Sequence, residues 1–434
     1  MCAIIGVLGK NLPSQEQFKR SRDTMTHRGP DDAGLYYAPN EHIALGHRRL
    51  SIIDLSKSGR QPLFSSDGNL ALVFNGEIYN FQELKKELKN FYPFRTKTDS
   101  EVILAAYLRW GAASVNRLRG MFAFAIWDKN KNELFVARDR LGIKPLFYSF
   151  WKNNFYFASE IKGILVTSLM PRILERQAVL DYLSYRYPLG DKTFFQNIQS
   201  LLPGHCLTVK RGREPILKRY WELPTVVLKE DRGEKEVLKE AQGLLMDAVK
   251  LHMVSDVPVG AYLSGGIDSS MLVALMSKIS PKSVKTFSVG FEEKGFNEFE
   301  AARRVAHILK PDHHELTIKA EAYLKLLPQV IQCKDAPLHV PNEVVLSALS
   351  QELKKHITVV LSGEGADELF GGYGKIIRSG YDLERMQNLS HGDYVNQKEK
   401  KELVENFALK YGSTRYKKPL NHFLAQYPYT KLSK

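Results

Sequence analysis

The chain has 434 residues, which at about 100–200 residues per domain predicts two or three domains. Hydrophobic residues make up 44% and charged residues 25%, proportions that exclude a disordered chain, a collagen-like repeat and a disulfide-dense mini-protein. The 62 Lys and Arg residues against 48 Asp and Glu give a net charge of +14, which favours polyanionic partners such as nucleotides.

The three cysteines, Cys2, Cys206 and Cys333, lie far apart and form no CxxC pair. This spacing argues against a disulfide framework and a zinc ribbon, and it fits a reducing compartment. The longest apolar run, Met121–Trp127, is far shorter than the ~18 residues of a membrane-spanning helix. No Lys or Arg precedes the apolar N-terminal stretch, so it does not read as a signal peptide. We therefore expect a cytoplasmic protein with no membrane partner.

The positive charge is spread along the chain, and the sequence has no helix-turn-helix, RRM or zinc pattern. We therefore expect no nucleic-acid partner. His313 and His314 have no third ligand at a suitable spacing, so we do not predict a metal site there.

The N-terminal half alternates short apolar runs with turn residues, which is typical of strands. The predicted strands are Ala3–Leu8, Ile43–Leu45, Leu70–Phe74, Met121–Trp127, Glu133–Ala137 and Phe155–Ala158. Helices are predicted at Phe81–Lys89 and at Glu101–Trp110, the second after Asp99 and Ser100 as a cap. Strands with few crossover helices predict an antiparallel α+β layer domain.

Residues 225–236 are charged and lack apolar periodicity, so we interpret them as a linker between domains of residues 1–215 and 236–434. Beyond the linker, helical and strand patterns alternate. Helices are predicted at 236–253, 270–278, 299–308, 323–333 and 344–355, and strands at 257–263, 284–291 and 357–361. This order predicts an α/β domain with a doubly wound parallel sheet.

Cys2 follows the initiator Met1, whose removal would give Cys2 a free α-amine of pKa about 7.7–8.0. That amine can act as general base for the thiol of the same residue. The alternative is a small buried residue at the start of a strand. Four further motifs favour the nucleophile: HRGPD at 27–31, HRRLSI at 47–52, NGEIYN at 75–80 and TDSE at 98–101. With Cys2 they resemble the class II glutamine amidotransferase domain, which implies an Ntn-hydrolase-like αββα fold.

By this resemblance Cys2 attacks the side-chain amide of glutamine, and Asn75 and Gly76 donate to the oxyanion, where one donor can be worth about 2.7–4 kcal/mol. Arg49 pairs with the α-carboxylate of glutamine, and Asp99 with Glu77 nearby takes its α-amine. Taken singly, Asn75–Gly76 is only a turn and Arg49 only a surface charge. The implied glutamine-binding set is Arg49, Leu50, Ser51, Ile52, Ile53, Asn75, Gly76, Glu77 and Asp99.

The stretch RDRLGIKPL, residues 138–146, also matches this family. We interpret it as a structural element, a charged turn between strands. We expect the Cys206 thiol to be packed in the same domain.

In the second half, a predicted strand runs into Ser264–Ser270, SGGIDSS, and then into a helix. A glycine-rich turn at a helix start presents free N–H groups and the helix dipole to phosphate. The sequence has no GxxxxGK[ST], which excludes a Walker site. SGGxDS resembles the pyrophosphate loop of N-type ATP pyrophosphatases, as in adenine-nucleotide α-hydrolase-like folds, which cleave ATP to AMP and pyrophosphate.

The stretch Leu361–Tyr373, LSGEGADELFGGY, follows the last predicted strand. It lacks the third glycine of a dinucleotide fingerprint. Its carboxylates beside a phosphate site suggest Mg²⁺, and the alternative is an acidic helix N-terminus stabilised by the dipole. The whole string resembles asparagine synthetases. That resemblance implies Mg²⁺ on Asp268 and Asp367, and a Glu364 that helps form the acyl-adenylate or deprotonates ammonia. The implied ATP-binding set is Leu263, Ser264, Gly265, Gly266, Asp268, Ser269, Val289, Ser362 and Gly363.

Together the two halves resemble glutamine-hydrolysing asparagine synthetases. The resemblance implies conversion of aspartate to asparagine with glutamine as nitrogen donor, through a β-aspartyl-AMP intermediate, with ATP and Mg²⁺ required and a homodimer as the assembly. The family's (E/R)xRxPFLD stretch and its later lysine do not follow Tyr373, and Lys375 lies too near to stand for that lysine. We therefore expect a second domain that is shortened at its C-terminus or completed by a second chain.

Two alternatives stay open. The first is an amidotransferase for another carboxylate, on a sugar or peptide, because Asp335–Pro341 does not reveal aspartate specificity. The second is a glutaminase with an inactive or partner-completed synthetase half. The intact Cys2 motif set argues against β-lactam-forming relatives, which have no need of ammonia.

Overall fold

The computed structural model describes residues 1–224, 232–293 and 297–373, together with 383–384 and 405. It contains two units: a larger one of residues 1–179 and 188–361, and a smaller one of residues 180–187 and the described part of 362–434. The larger unit contains most of both predicted domains.

The strands, in chain order, are β1 (Ala3–Leu8), β2 (Asp32–Ala38), β3 (Ile43–Arg49), β4 (Leu63–Phe64), β5 (Leu70–Ile78), β6 (Gly120–Asp128), β7 (Glu133–Arg138), β8 (Phe147–Trp151), β9 (Asn154–Ala158), β10 (Gln199–Ser200), β11 (His205–Lys210), β12 (Ile216–Arg219), β13 (Val259–Tyr262), β14 (Lys285–Phe291), β15 (Asp312–Ile318) and β16 (Val359–Leu361). The α-helices are α1 (Gln15–Asp23), α2 (Phe81–Leu88), α3 (Glu101–Trp110), α4 (Ile161–Ser168), α5 (Arg176–Tyr185), α6 (Glu234–His252), α7 (Ile267–Ile279), α8 (Phe299–Leu309), α9 (Ala320–Lys334), α10 (Asn342–Leu353) and α11 (Ala366–Phe370).

The first twelve strands form two six-stranded antiparallel sheets, in the orders β10-β8-β9-β1-β3-β2 and β12-β11-β7-β6-β5-β4. Strand β6 shows why the sheets stack. Its Phe122 and Phe124 pack with residues of α2 and α3, whereas Ala123 and Trp127 pack with residues of the other sheet. Because successive strand residues point to opposite faces, an all-apolar strand must be covered on both sides.

Strand β1 is covered in the same way. Its Ile4 and Leu8 belong to the cluster between the two sheets, and its Ile5 and Val7 pack with residues of α1 and α4. The order of layers is therefore helix, sheet, sheet, helix, which confirms the predicted αββα domain.

The last four strands form a parallel sheet in the order β15-β14-β13-β16. Leu263, just after β13, packs on one face with α6, α7 and α8, and Phe287 of β14 packs on the other with α10. Helices on both faces of a parallel sheet confirm the predicted α/β domain.

The predicted strands at β1, β3, β5, β6, β7 and β9 and the predicted helices at α2 and α3 are confirmed. The predicted linker is wrong at its end, because α6 begins at Glu234, where acidic side chains suit the positive end of the helix dipole. Residues 225–231 and Lys375 lie outside the described residues. Helix α7 begins at Ile267 rather than Ser270, so Asp268 and Ser269 lie in its first turn. In the part of the chain that the structure describes, no helix is long and apolar enough to cross a membrane.

Candidate active sites

A cavity of about 60 Å³ lies beside the start of β1. It brings together Cys2 and residues from three of the sequence motifs, HRRLSI, NGEIYN and TDSE. The predicted site residues that line it are Cys2, Arg49, Leu50, Ile52, Ile53, Asn75, Gly76, Glu77 and Asp99. Ser51 is in the predicted set but not in this lining, and its backbone N–H donates to Asp31 Oδ2 at 2.8 Å.

Cys2 lies just before β1 with its Sγ atom against the backbone of Leu50. The Leu50 N–H donates to Sγ at 3.4 Å, and the thiol faces the Leu50 carbonyl at 3.6 Å. Burial raises the pKa of this thiol, while the bond to Leu50 and the charges of Lys144 and Arg49 act in the opposite direction. Burial also lowers the pKa of the Met1 α-amine to about 6, so that amine is largely neutral at pH 7.

The Asn75 side-chain amide has unpaired hydrogen-bonding groups at the cavity. Its side chain is 1% exposed and lines the cavity, yet neither Oδ1 nor Nδ2 has a hydrogen-bond partner among the described residues. A buried polar group without a partner costs about 1–3 kcal/mol, so a bound molecule is the natural partner. At the adjacent Gly76 an added Cβ would lie 2.1 Å from the Met121 carbonyl oxygen of β6. Only glycine therefore allows this close approach of β5 and β6.

Arg49, at the end of β3, is buried and holds a loop. Its guanidinium donates to the carbonyl of Ser56 at 2.8 Å, to that of Ile53 at 3.5 Å and to that of Asp54. These bonds fix residues 53–56 around one end of the cavity. The part of the guanidinium that faces the cavity can pair with a carboxylate, and the loop-holding role was not predicted.

Glu77 and Asp99 make the cavity acidic on another side. Both are buried, and Asp99 Oδ2 accepts a hydrogen bond from the Ile78 N–H at 2.8 Å. Burial raises the pKa of Glu77 to about 7, with a contribution from the charge of Asp99, and burial raises the pKa of Asp99 to about 6. Two buried carboxylates that resist ionisation are suited to a cationic ligand, because an ammonium group would stabilise their charged forms.

Lys144 is one of the cavity residues that the sequence-based site prediction missed. It was placed in a structural turn, and the turn is present, but the lysine side chain lines the cavity with Cys2 and Glu77. The available signal was a lone lysine between the apolar Ile143 and Pro145.

The predicted phosphate loop joins β13 to α7. Gly265 has φ +81°, and an added Cβ would lie 2.4 Å from the backbone carbon of Ala301 in α8. The Ser264 N–H donates to Ser269 Oγ at 3.2 Å, and the two hydroxyls lie 3.0 Å apart. Glycine and serine therefore shape a tight turn directly before a helix.

The start of α7 is open to an anion. Its N-cap residue is Gly266, which has no side chain that could accept a hydrogen bond from the first N–H groups of the helix. The N–H groups of Ile267 and Asp268 have no hydrogen-bond partner among residues 1–224, 232–293 and 297–373. The Asp268 carboxylate is exposed in the same turn. This donor set fits phosphate, and one carboxylate with phosphate oxygens fits Mg²⁺.

Of the remaining predicted nucleotide residues, Leu263 directly follows β13, and Val289 lies near the end of β14, which pairs in parallel with β13. The Leu263 side chain is buried among the helices of one sheet face, and Val289 is half-buried in β14. Ser362, Gly363, Glu364 and Asp367 belong to the smaller unit, with an exposed Glu364 before α11 and Asp367 in its first turn. Within the described part of the chain, no three His, Cys, Asp or Glu side chains are grouped to hold a metal ion.

A partly buried chain of ionic contacts joins the Cys2 backbone to Asp335 in the second half of the sequence. Arg28 donates to the Cys2 carbonyl at 3.0 Å and to Glu160 at 3.2 Å. The other Glu160 oxygen pairs with Lys162 Nζ at 2.5 Å, and Lys162 Nζ lies 3.2 Å from the Asp335 carboxylate. Burial acts to raise the pKa of Glu160, but its bonds to His27 and Lys162 outweigh burial and lower it.

Two domain families match the chain: the glutamine amidotransferase domain over residues 1–221 and asparagine synthase over residues 240–427. The glutamine-hydrolysing asparagine synthetase 1 of Bacillus subtilis is 40% identical over 398 residues, covering 90% of this chain and 62% of that protein. A Methanocaldococcus jannaschii protein, provisionally named glutamine-hydrolysing asparagine synthetase 2, is 37% identical over 395 residues, covering 86% of this chain and 76% of that protein.

Amidase chry2 of Gibberella zeae is 36% identical over 396 residues, covering 87% of this chain and 57% of that protein. The chain therefore spans less than two thirds of the length of some curated relatives that it matches.

Proposed function

Because this chain belongs to the family of glutamine-hydrolysing asparagine synthetases, we propose that it transfers the amide nitrogen of glutamine to the β-carboxylate of aspartate, with cleavage of ATP to AMP and pyrophosphate. Residues 1–215 would release ammonia, and residues 236–434 would activate aspartate as β-aspartyl-AMP. The observation that carries the proposal is the unpartnered, buried amide of Asn75 in one cavity with Cys2 and two buried carboxylates.

In the glutaminase step, Cys2 Sγ attacks the amide carbon of glutamine after its proton passes to the α-amine that removal of Met1 gives to Cys2. The Asn75 amide and the Gly76 N–H stabilise the negative oxygen of the tetrahedral intermediate. The proton then goes to the leaving nitrogen, ammonia departs, and water hydrolyses the thioester to glutamate. The amide nitrogen thus leaves as ammonia, and the acyl group leaves Cys2 as glutamate.

The charges around the cavity would orient the substrate. Arg49 pairs with the α-carboxylate of glutamine, and Asp99 with Glu77 pairs with its α-ammonium group. This pairing would lower the raised pKa values of both acids, because a positive neighbour favours the ionised form.

In the second half, the open start of α7 would hold the pyrophosphate part of ATP through the Ile267 and Asp268 N–H groups. Asp268 and Asp367 would hold Mg²⁺, which when bound neutralises charge on the phosphates. Ser362 and Gly363 complete the proposed nucleotide set, and Glu364 would assist adenylation or take a proton from ammonia. Ammonia would then displace AMP and give the amide.

We also propose that the protein acts in the cytoplasm as a homodimer. Its cysteines, half-buried Cys2, buried Cys206 and exposed Cys333, are all free thiols, in keeping with a reducing compartment. Light scattering of the purified chain would measure its mass in solution, and a monomeric mass at micromolar concentration would contradict the dimer.

The test of the proposed function separates the two halves. Purified protein receives ATP, Mg²⁺, ammonium and aspartate, and pyrophosphate release is followed with and without aspartate. In parallel, glutamate formation from glutamine is followed with the wild type and with Cys2→Ala. We expect aspartate-dependent pyrophosphate in both proteins and glutamate formation in the wild type alone. Absence of both activities from folded protein would refute the proposal.

A second candidate is amidation of a different carboxylate. It is favoured by the similarity to a protein named an amidase. Pyrophosphate release that depends on a sugar or peptide carboxylate, and not on aspartate, would decide for this candidate.

A further inference from the structure

Lys144 is a buried cation at the glutaminase cavity. Its side chain is 6% exposed and lines the cavity with Cys2 and Glu77. No carboxylate oxygen of the described residues lies within 4.0 Å of its Nζ atom, although buried ammonium groups are usually paired. Burial lowers the pKa of the Lys144 ammonium group, while the negative charges of Glu77, Cys2 and Asp139 act in the opposite direction.

The turn that carries Lys144 is firmly built. The carboxylate of Asp139 accepts hydrogen bonds from the N–H groups of Phe122, Leu141, Ile143 and Lys144, at 3.2, 3.1, 3.0 and 3.0 Å. The Lys144 carbonyl in turn accepts a hydrogen bond from the Arg138 guanidinium at 2.8 Å. The backbone from which the lysine extends is therefore held on both sides, and the side chain is directed by the fold.

The charge on Lys144 acts on two titrating groups of the proposed site. It opposes the burial that raises the pKa of the Cys2 thiol. It also opposes the burial and the Asp99 charge that raise the pKa of Glu77 to about 7. The thiolate is the form of Cys2 that attacks glutamine in the proposed hydrolysis, and the ionised Glu77 is the form that pairs with the substrate ammonium group.

We propose that Lys144 is a positioning residue for glutamine hydrolysis, whose ammonium charge in the cavity favours the Cys2 thiolate and the Glu77 carboxylate. This inference rests on the proposed glutaminase function. It assigns Lys144 an electrostatic role that differs from both substrate anchoring and a purely structural turn.

The experiment compares Lys144→Met, which keeps the length of the side chain and removes its charge, with Lys144→Arg, which keeps the charge. The first readout is the rate at which iodoacetamide alkylates Cys2 as a function of pH, followed by mass spectrometry of the Cys2 peptide. The second is the pH profile of kcat/KM for glutamine. Thermal unfolding of each variant reports whether the fold is retained.

We expect Lys144→Met to move the alkylation midpoint up by about one pH unit, which corresponds to about a tenfold lower rate near pH 7. kcat/KM for glutamine should fall by a similar factor, and Lys144→Arg should restore both readouts to near wild-type values. An alkylation midpoint that stays in place in folded Lys144→Met would overturn the inference, and a raised KM with unchanged kcat would show a carboxylate anchor instead.

Failure of the proposed function would look different. A wild-type protein that does not hydrolyse glutamine would refute the glutaminase activity, while the alkylation profiles would still decide whether Lys144 controls the thiol.

Discussion

The backbone N–H of Asp54 donates a hydrogen bond to the carboxylate of Asp256, with a nitrogen–oxygen distance of 2.8 Å. A second hydrogen bond joins the same two segments: the Asp256 N–H donates to the Ile52 carbonyl at 3.0 Å. Residues 52–54 belong to the loop that Arg49 holds around the Cys2 cavity, and Asp256 lies just before β13, the strand that leads into the predicted phosphate loop. The two candidate sites are thus joined through two hydrogen bonds and one short strand.

Asp256→Ala should weaken glutamine use without preventing ATP chemistry. The substitution leaves the Asp54 N–H without its acceptor, so the loop held by Arg49 loses one attachment worth about 0.5–1.5 kcal/mol. We expect KM for glutamine to rise about 2- to 12-fold, while ammonium-dependent pyrophosphate release changes little. Asp256→Asn keeps an acceptor oxygen and should behave nearly as the wild type. Equal losses in both variants would show that charge, rather than the hydrogen bond, matters at this position.

Asn75→Ala tests the oxyanion donor. Loss of one such donor lowers kcat by about 10²–10³-fold in related chemistry, and KM should change little because the donor acts on the transition state. The same substitution removes two unpartnered buried polar atoms, so the free protein should unfold at the same or a higher temperature. A raised KM with unchanged kcat would assign Asn75 to substrate binding instead.

Glu77 should make glutamine binding depend on pH. The carboxylate with a pKa of about 7 must be ionised to pair with the substrate ammonium group, so binding should tighten as pH rises from about 6 to 8. Glutamine affinity of Cys2→Ala, measured by calorimetry across this range, reports binding without hydrolysis. Adding Glu77→Gln should weaken binding at pH 8 and flatten its pH dependence.

The raised pKa of Glu77 also predicts that ionisation of this carboxylate destabilises the folded protein. The folded protein holds the Glu77 proton more tightly than the unfolded chain, whose pKa is 4.5, so this group makes folding less favourable as pH rises from 4.5 to about 7. At pH 8, Glu77→Gln should therefore unfold at a higher temperature than the wild type. This difference between the two proteins should be smaller at pH 5. An opposite sign would mean that Glu77 is held ionised in the free protein.

The sequence predicted most of the strands and helices that show local periodicity, and the site residues that belong to specific motifs. The strand β6 was recognisable because every residue from Met121 to Trp127 is apolar, and both of its faces are in fact buried. The cavity residues Cys2, Asn75 and Asp99 were grouped correctly because a family resemblance carries three-dimensional proximity that spacing alone does not.

The features that the sequence did not predict depend on contacts between distant segments. Strand β15 carries the polar sequence DHHELTI, and an edge strand with exposed side chains leaves no alternation to detect. Lys144 was interpreted as part of a charged turn because nothing local shows that the turn faces Cys2, 142 positions earlier in the numbering (144 − 2). The loop-holding role of Arg49 was invisible for the same reason, since its partners are backbone carbonyls.

Lys162→Met should destabilise the protein through the partly buried chain of ionic contacts. It leaves the Asp335 carboxylate without Lys162, while Glu160 keeps Arg28, and breaking one partner of a fully buried pair costs about 3–5 kcal/mol. Since the Lys162 side chain is still 18% exposed, we expect a loss of about 3 kcal/mol or less in chemical denaturation. Lys162→Arg should recover most of the loss. Unchanged stability in Lys162→Met would show that water replaces the ammonium group.

Gly265→Ala should separate the two activities. The residue has φ +81°, and its new Cβ would lie 2.4 Å from the backbone carbon of Ala301, so the phosphate loop or α8 must shift. We expect aspartate-dependent pyrophosphate release to fall by at least about tenfold, because a displaced loop no longer aims the Ile267 and Asp268 N–H groups at phosphate.

The matched control is Gly243→Ala in α6, where an added Cβ meets nothing within 4 Å. In an open helical position alanine is favoured over glycine by about 1 kcal/mol, so this variant should keep both activities and unfold at a slightly higher temperature. Glutamate formation from glutamine should remain within about twofold of the wild type in both variants, because the phosphate loop does not line the Cys2 cavity. If Gly265→Ala instead lost glutamine hydrolysis and kept pyrophosphate release, the phosphate loop would not be the nucleotide site.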